Sequence, residues 1–112
     1  MAQSPDEPLL PAVQPILDPG EELAIALRAT DAIVAVTDRR LLVQVNKRVA
    51  LDVGYPGLRR IQFDIERERP ATLVIVPENP TQEAQVLSIP SEEIPRCARA
   101  LGIVSQRLVA AT

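Results

Sequence analysis

The sequence predicts a mainly β domain with one helix: seven short antiparallel strands forming a small barrel or sandwich, plugged by a C-terminal amphipathic helix. Three observations carry this. From Leu23 to Ile89 apolar and polar residues alternate with period two, the signature of half-buried strands. Turn residues separate the alternating runs at short intervals, as in all-β domains. After Ile89 the apolar spacing changes to three and four, which is helical.

The elements follow in order. The first 17 residues hold Pro5, Pro8, Pro11 and Pro15, a density that blocks helix and sheet ladders and favours an extended, solvated chain. Residues 1–17 therefore read as a flexible Pro-rich tail, with Leu9, Leu10 and Ile16 as its points of contact with the domain at 18–112. The rival reading is a short arm that docks on a neighbour. Asp18-Pro19-Gly20-Glu21 is a turn signal.

Leu23, Ile25 and Leu27 share one strand face, opposite Ala24, Ala26 and Arg28. Ile33 to Val36 follows a break at Thr30-Asp31. Leu41, Val43 and Val45 alternate with Gln44 and Asn46. Asn46-Lys47 reads as a hairpin turn, because Asn tolerates positive φ. Val49, Leu51 and Val53 make the next strand, ended by Gly54-Tyr55-Pro56-Gly57. Ile61, Phe63 and Ile65 alternate with Gln62, Asp64 and Glu66, and Thr72 to Val76 and Val86 to Ile89 complete the seven.

A helix is predicted over about residues 91–110, with Ser91 as N-cap and Glu92 and Glu93 in the first turn, where the helix dipole favours acids. Ile94, Cys97, Ala98, Leu101, Ser105 and Leu108 define its inward stripe. Gly102 weakens its middle and implies a close approach to the strands.

Composition narrows the function. The chain of 112 residues is one domain, long enough for a single core. Aromatics are 2%, so Leu, Val, Ile and Ala fill that core. There is no His, which removes the usual general base and the commonest metal ligand. The single Cys97 excludes an internal disulfide and a cysteine zinc site, fits a reducing compartment, and reads as inert packing. No cofactor and no metal are expected. No apolar run is long enough to span a bilayer, and the N-terminus lacks the basic and apolar regions of a signal peptide. The expected location is cytoplasmic. The net charge of −3 argues against nucleic acid and anionic membranes, both of which ask for a positive field.

The middle of the chain carries the one motif. Between two apolar runs stands Thr37-Asp38-Arg39-Arg40. Read from its residues, it closes a hairpin: Asp and Thr side chains accept nearby backbone N–H groups, and Arg40 lies against Asp38 or another carboxylate. Leu17-Asp18-Pro19-Gly20-Glu21-Glu22 fits the pattern L-x-x-G-E-E, and Val36-Thr37-Asp38-Arg39-Arg40-Leu41 fits L/V-T-D-x-R-L. With the strand series and terminal helix, these motifs resemble the bacterial pleckstrin-homology-like (PH-like) domains, which are related in fold to GRAM domains. The resemblance covers about residues 17–110. It implies a seven-stranded bent barrel capped by one helix, serving as a lipid reader, peptide reader or assembly module. In phosphoinositide-binding members the link between the first two strands is long and basic. Here it is Ala29-Thr30-Asp31-Ala32, short and acidic, which argues against phosphoinositide.

The leading expectation is a noncatalytic protein-interaction or self-assembly module, with a homo-oligomer as the partner form. Leu42 and Val34, off the inward phase of their strands, and the small Ala24/Ala26 face support it. In that reading Thr37, Asp38, Arg39, Arg40 and Leu41 form a structural hairpin. The alternative is a weak binder of anionic surfaces, lipid headgroup or nucleic acid, through Arg39, Arg40, Lys47, Arg48, Arg59 and Arg60. Asp38, Asp52 and Asp64 interleave with those cations, and one Tyr and one Phe make no stacking platform. Catalysis is not expected: Glu66 and Glu68 sit beside Arg67 and Arg69 as alternating salt-bridge partners. A five-stranded OB or Sm barrel would need fewer strands and a more basic, aromatic surface.

Overall fold

Seven strands form where the alternation places them, but they make two sheets instead of one closed barrel. The computed structural model describes residues 9–111. The strands are β1 (Leu23–Arg28), β2 (Ile33–Thr37), β3 (Arg40–Val45), β4 (Arg48–Gly54), β5 (Leu58–Asp64), β6 (Ala71–Pro77) and β7 (Gln85–Ile89). An antiparallel sheet of order β1-β2-β3-β4 faces a second of order β5-β6-β7. Among the described residues no ladder joins β4 to β5 or β7 to β1. One backbone bond, Thr30 N–H to Ser88 O at 2.9 Å, tacks the β1–β2 link onto β7.

The gap has a physical cause at β1. Two backbone groups near its end are taken by side chains from the start of the terminal helix: Arg28 N–H donates to Glu93 Oε1 at 3.1 Å, and Arg96 Nη1 donates to Ala26 O at 3.3 Å. Glu93 and Arg96 lie 3.9 Å apart as an ion pair. A sheet edge satisfied this way cannot accept another strand.

The main core lies between the sheets. Ile25, Leu27, Val34, Val36, Leu41, Val43, Leu51 and Val53 meet Leu73, Ile75 and Ile89, with Cys97, Ala100 and Val104 closing one side. Val34 thus points inward, in phase with its strand. A bulge between Val43 and Gln44 shifts β4 by one residue, so Val49 lands opposite Gln44 on the outer face and is 43% exposed. Ile65 falls beyond the end of β5, and its side chain is in solvent. The Asn46-Lys47 turn forms as expected, with φ of 51° and 65°.

The expected flexible tail is corrected over 9–17; residues 1–8 lie outside the described residues. Leu10–Val13 is a single helical turn, α1, followed by a 3-10 turn at Gln14–Ile16. Pro11 and Pro15 are the second residues of these turns, within the first turn where a missing N–H breaks no helical bond. The segment lies on the outer face of the four-stranded sheet. Val13 packs with Ala35 and Leu42, flanked by Ile16, Leu17, Leu23 and Ile33. So Leu42 is off phase because a second, smaller core covers it, and this sheet offers no bare apolar face for assembly.

The terminal helix α2 spans Ile94–Ala111, preceded by a 3-10 turn at Ser91–Glu93. Ser91 makes no capping bond; Pro90 precedes the turn in extended conformation. The buried stripe is Cys97, Ala100 and Val104, while Ala98 and Ser105 are exposed, so the helix is turned by about one position from the predicted face. Gly102 is exposed, and a Cβ built there meets nothing within 4 Å. The predicted close approach is absent. Gly102→Ala is therefore expected to stabilise the domain by about 0.5–1 kcal/mol, read as a higher urea midpoint with an unchanged slope. Among the described residues no helix is long and apolar enough to cross a membrane.

Candidate functional site

Two places gather polar side chains, at opposite ends of β2 and β3. The first is built on the Thr37–Arg40 turn. Thr37 is fully buried. Its Oγ1 accepts the N–H groups of Arg39 and Arg40, each at 3.0 Å, and donates to Glu21 Oε2 at 2.7 Å. The Arg40 guanidinium grips Glu21 with both ends of its fork: Nε to Oε2 at 2.8 Å and Nη2 to Oε1 at 2.7 Å. It also donates through Nη1 to Asp52 Oδ2 at 2.8 Å and through Nη2 to Ile16 O at 2.8 Å. Tyr55 OH donates to Thr37 O at 2.6 Å.

This knot ties four distant pieces of chain: the N-terminal segment, the Asp18–Glu21 turn, the β2–β3 hairpin and β4. The Glu21 side chain is 0% exposed. Bonding by Arg40 holds its carboxyl at about 2, well below its ordinary value, against the opposing effect of burial. The same contact raises the Arg40 guanidinium above its ordinary value. Burial pushes the Tyr55 phenol up to about 12. Asp38 does not pair with Arg40. Its Oδ1 accepts Glu22 N–H at 2.9 Å, and its own N–H donates to Glu22 O at 3.0 Å, which locks the turn to the start of β1.

Among the described residues, no buried side-chain nitrogen or oxygen of the knot lacks a hydrogen-bond partner, which fits a structural tie better than a ligand site. Thr37→Val keeps the shape but strips the hydroxyl from two backbone donors and a carboxylate. We expect a loss of about 2–3 kcal/mol in chemical denaturation, with the fold retained by circular dichroism.

The second place is an open cleft of about 470 Å³ at the other end of the sheet, between the β1–β2 link and the β3–β4 turn. Arg28, Thr30, Asp31, Gln44 and Lys47 line it, with Ala12 from the N-terminal segment. Gln44 is committed: its Nε2 donates to Ala12 O at 3.1 Å.

The six cations expected to form one anion-binding patch are dispersed. Arg40 is consumed by the knot. Arg39 is exposed beside Asp38, at 4.0 Å. Lys47 and Arg48 lie at the far end of β3, a strand of six residues, about 20 Å away at the usual rise. Arg59 and Arg60 stand on β5, in the other sheet, at a bulge. Leu41 is buried in the core. The Glu66/Glu68 pair is exposed, and Glu66 meets Arg69 at 3.8 Å. Cys97 is sealed in the core, and burial pushes its thiol up to about 12, which suppresses the reactive thiolate.

Two residues were missed as partners from sequence: Glu21 for Arg40, and Gln44 for the N-terminal backbone. The first had a signal, since the G-E-E and T-D-x-R-L motifs carry opposite charges next to apolar runs. The second had none.

The fold has solved counterparts. A pleckstrin homology domain from Shewanella amazonensis superposes with a TM-score of 0.65 at 17% identity, over 96% of this chain and 91% of that one. A DUF1696 family protein with a pleckstrin-homology domain from Shewanella loihica gives a TM-score of 0.62 at 16% identity, over 95% of this chain and 99% of that one. The chain has the pleckstrin-homology fold. No protein-family model and no curated protein matches it. On this pleckstrin-homology frame the knot fastens one end of the first sheet, and the cleft opens at the other.

Proposed function

We propose that this pleckstrin-homology domain is a noncatalytic protein-interaction module of the bacterial cytoplasm that associates with copies of itself through the outer face of its three-stranded sheet. One observation carries the reading. Val86 is 69% exposed and stands in register with Val74, which in turn faces Gln62, across the three strands. Val76, one pair further along β6, extends the stripe beside Arg60. No described segment lies over this face, whereas the matching face of the first sheet is covered. A two-fold contact would set this stripe against the same stripe of a second copy.

Light scattering behind a sizing column, run across a salt series, tests this. A discrete multimer that persists at high salt and dissociates in Val86→Lys is expected. A monomer at every concentration, or a multimer indifferent to Val86→Lys, overturns it.

A second reading attaches to the cleft, where Arg28 and Lys47 carry no ion pair among the described residues. An anionic group would meet both cations there, at a site opposed by Asp31. Flotation with vesicles of anionic lipid, comparing the chain with Lys47→Glu, separates this from the first reading.

A further inference from the structure

The groove on the outer face of the four-stranded sheet holds residues 9–17 by both side chain and backbone. Val13 is buried in it, at 0% exposure, against Ala35 and Leu42. Two side chains of the sheet read the segment's backbone: Gln44 donates to Ala12 O and Arg40 to Ile16 O. The turns at Leu10–Val13 and Gln14–Ile16 are far too short to persist alone in water, so the groove itself orders them. None of these contacts depends on which chain supplies the segment.

Only the hinge decides that. It is the turn Asp18-Pro19-Gly20-Glu21, closed by Glu21 N–H to Asp18 O at 3.0 Å and by Asp18 N–H to Glu21 Oε1 at 2.9 Å. Gly20 takes φ of 80°, a left-handed conformation that glycine adopts freely and a β-branched residue does not. Pro at the second position and Gly at the third are the residues a type II turn requires. When an element's contacts are the same within and between chains, opening its hinge converts a closed monomer into an exchanged dimer.

We infer that this groove is a docking site for the 9–17 segment of a second copy, so that two chains can pair by exchanging their N-terminal segments about the Asp18–Gly20 hinge. The occupant is a second copy because this segment is the one ligand whose fit to Leu42, Ala35, Gln44 and Arg40 is on view. If the segment leaves in one chain, its groove exposes an apolar face that the partner's segment covers. This goes beyond the sheet-face contact proposed above and uses the opposite sheet.

The test has two parts on the full chain. In a concentrated mixture of isotope-labelled and unlabelled wild-type chains, filtered nuclear Overhauser spectra should show methyl contacts from Val13 of one copy to Leu42 of another. Intrachain contacts alone overturn the inference. The second part uses Gly20→Val, which disfavours the closed turn; the added Cβ meets only Arg39 Nη2, at 3.6 Å, so backbone strain is its main effect. In the Val86→Lys background, which removes the sheet-face contact, its expected product is a species of twice the chain mass, more than tenfold enriched over Val86→Lys alone, and adding Val13→Asp should return it to monomer. A Gly20→Val chain that stays monomeric in that background overturns the exchange. So does a dimer that dissolves with Val86→Lys and not with Val13→Asp, an outcome that leaves the sheet-face reading standing.

Discussion

Arg40→Met is expected to lower stability at pH 7 by about 3–5 kcal/mol, the usual cost of leaving one member of a buried ion pair without its partner. Small domains are stable by only about 5–15 kcal/mol, so this is a large share. The loss should come with a weaker response to acid. In the native chain Glu21 is held at about 2 against an ordinary 4.5. A group whose folded pKa is depressed stabilises fully above its unfolded value and loses that contribution as pH falls through its folded value. The pair's contribution is therefore complete above about pH 4.5 and fades toward pH 2. Without Arg40, burial raises the Glu21 carboxyl against the bonds from Asp18 N–H and Thr37, which still lower it, so the carboxyl is less depressed than in the native chain. The gap between variant and wild type then narrows as pH falls below about 4.5 toward 2, where the native pair loses its contribution. Urea midpoints at pH 7, 5 and 3 for both chains would show the gap narrowing. A constant gap would mean that Glu21 is not held by Arg40. Adding Glu21→Gln to Arg40→Met should recover part of the loss at pH 7 and flatten the difference, because the uncompensated charge is gone.

Val13→Asp is the second large expectation, and its character is different. Val13 is 0% exposed, in a core separate from the one between the sheets. A carboxylate there cannot stay buried without a cation. Residues 9–17 should detach while the two-sheet core persists, at a cost of about 2–4 kcal/mol. Hydrogen exchange should speed up at Val13 and Leu17, whose N–H groups bond within the segment, and remain slow in β2 and β6. The bared face, with Leu42 and Ala35 exposed, should lower solubility. Global unfolding by circular dichroism would show instead that the segment is part of one cooperative core.

Much of the architecture could be read directly from the chain. Period-two alternation placed all seven strands, because a strand's side chains obey a local rule that needs no partner. Asn46-Lys47 declared its turn for the same reason, since positive φ is a property of the residue. The T-D-x-R-L motif marked the correct hairpin. What it could not show was the purpose of that hairpin: a tie across 16 to 24 residues of sequence, between Glu21, Arg40 and Ile16. Of the six basic residues expected to act together, the fold set Arg39, the Lys47/Arg48 pair and the Arg59/Arg60 pair in three places and committed Arg40 to the knot. Sequence proximity to a hairpin says nothing about which end of the strand the hairpin occupies.

By itself, then, the sequence determined the strands, the helix and the turns, all products of backbone preference and side-chain period within a few residues. Only the tertiary structure decided that the strands form two sheets, that Pro11 and Pro15 lie in helical turns on an apolar groove, and that Leu42 is covered by its own chain. Those outcomes depend on which surfaces meet. An edge closes when Glu93 and Arg96 reach β1, and a tail becomes structure when Val13 finds Leu42 and Ala35 unoccupied. Such contacts are set by the free energy of burying one face against another, a quantity that no window of the sequence contains.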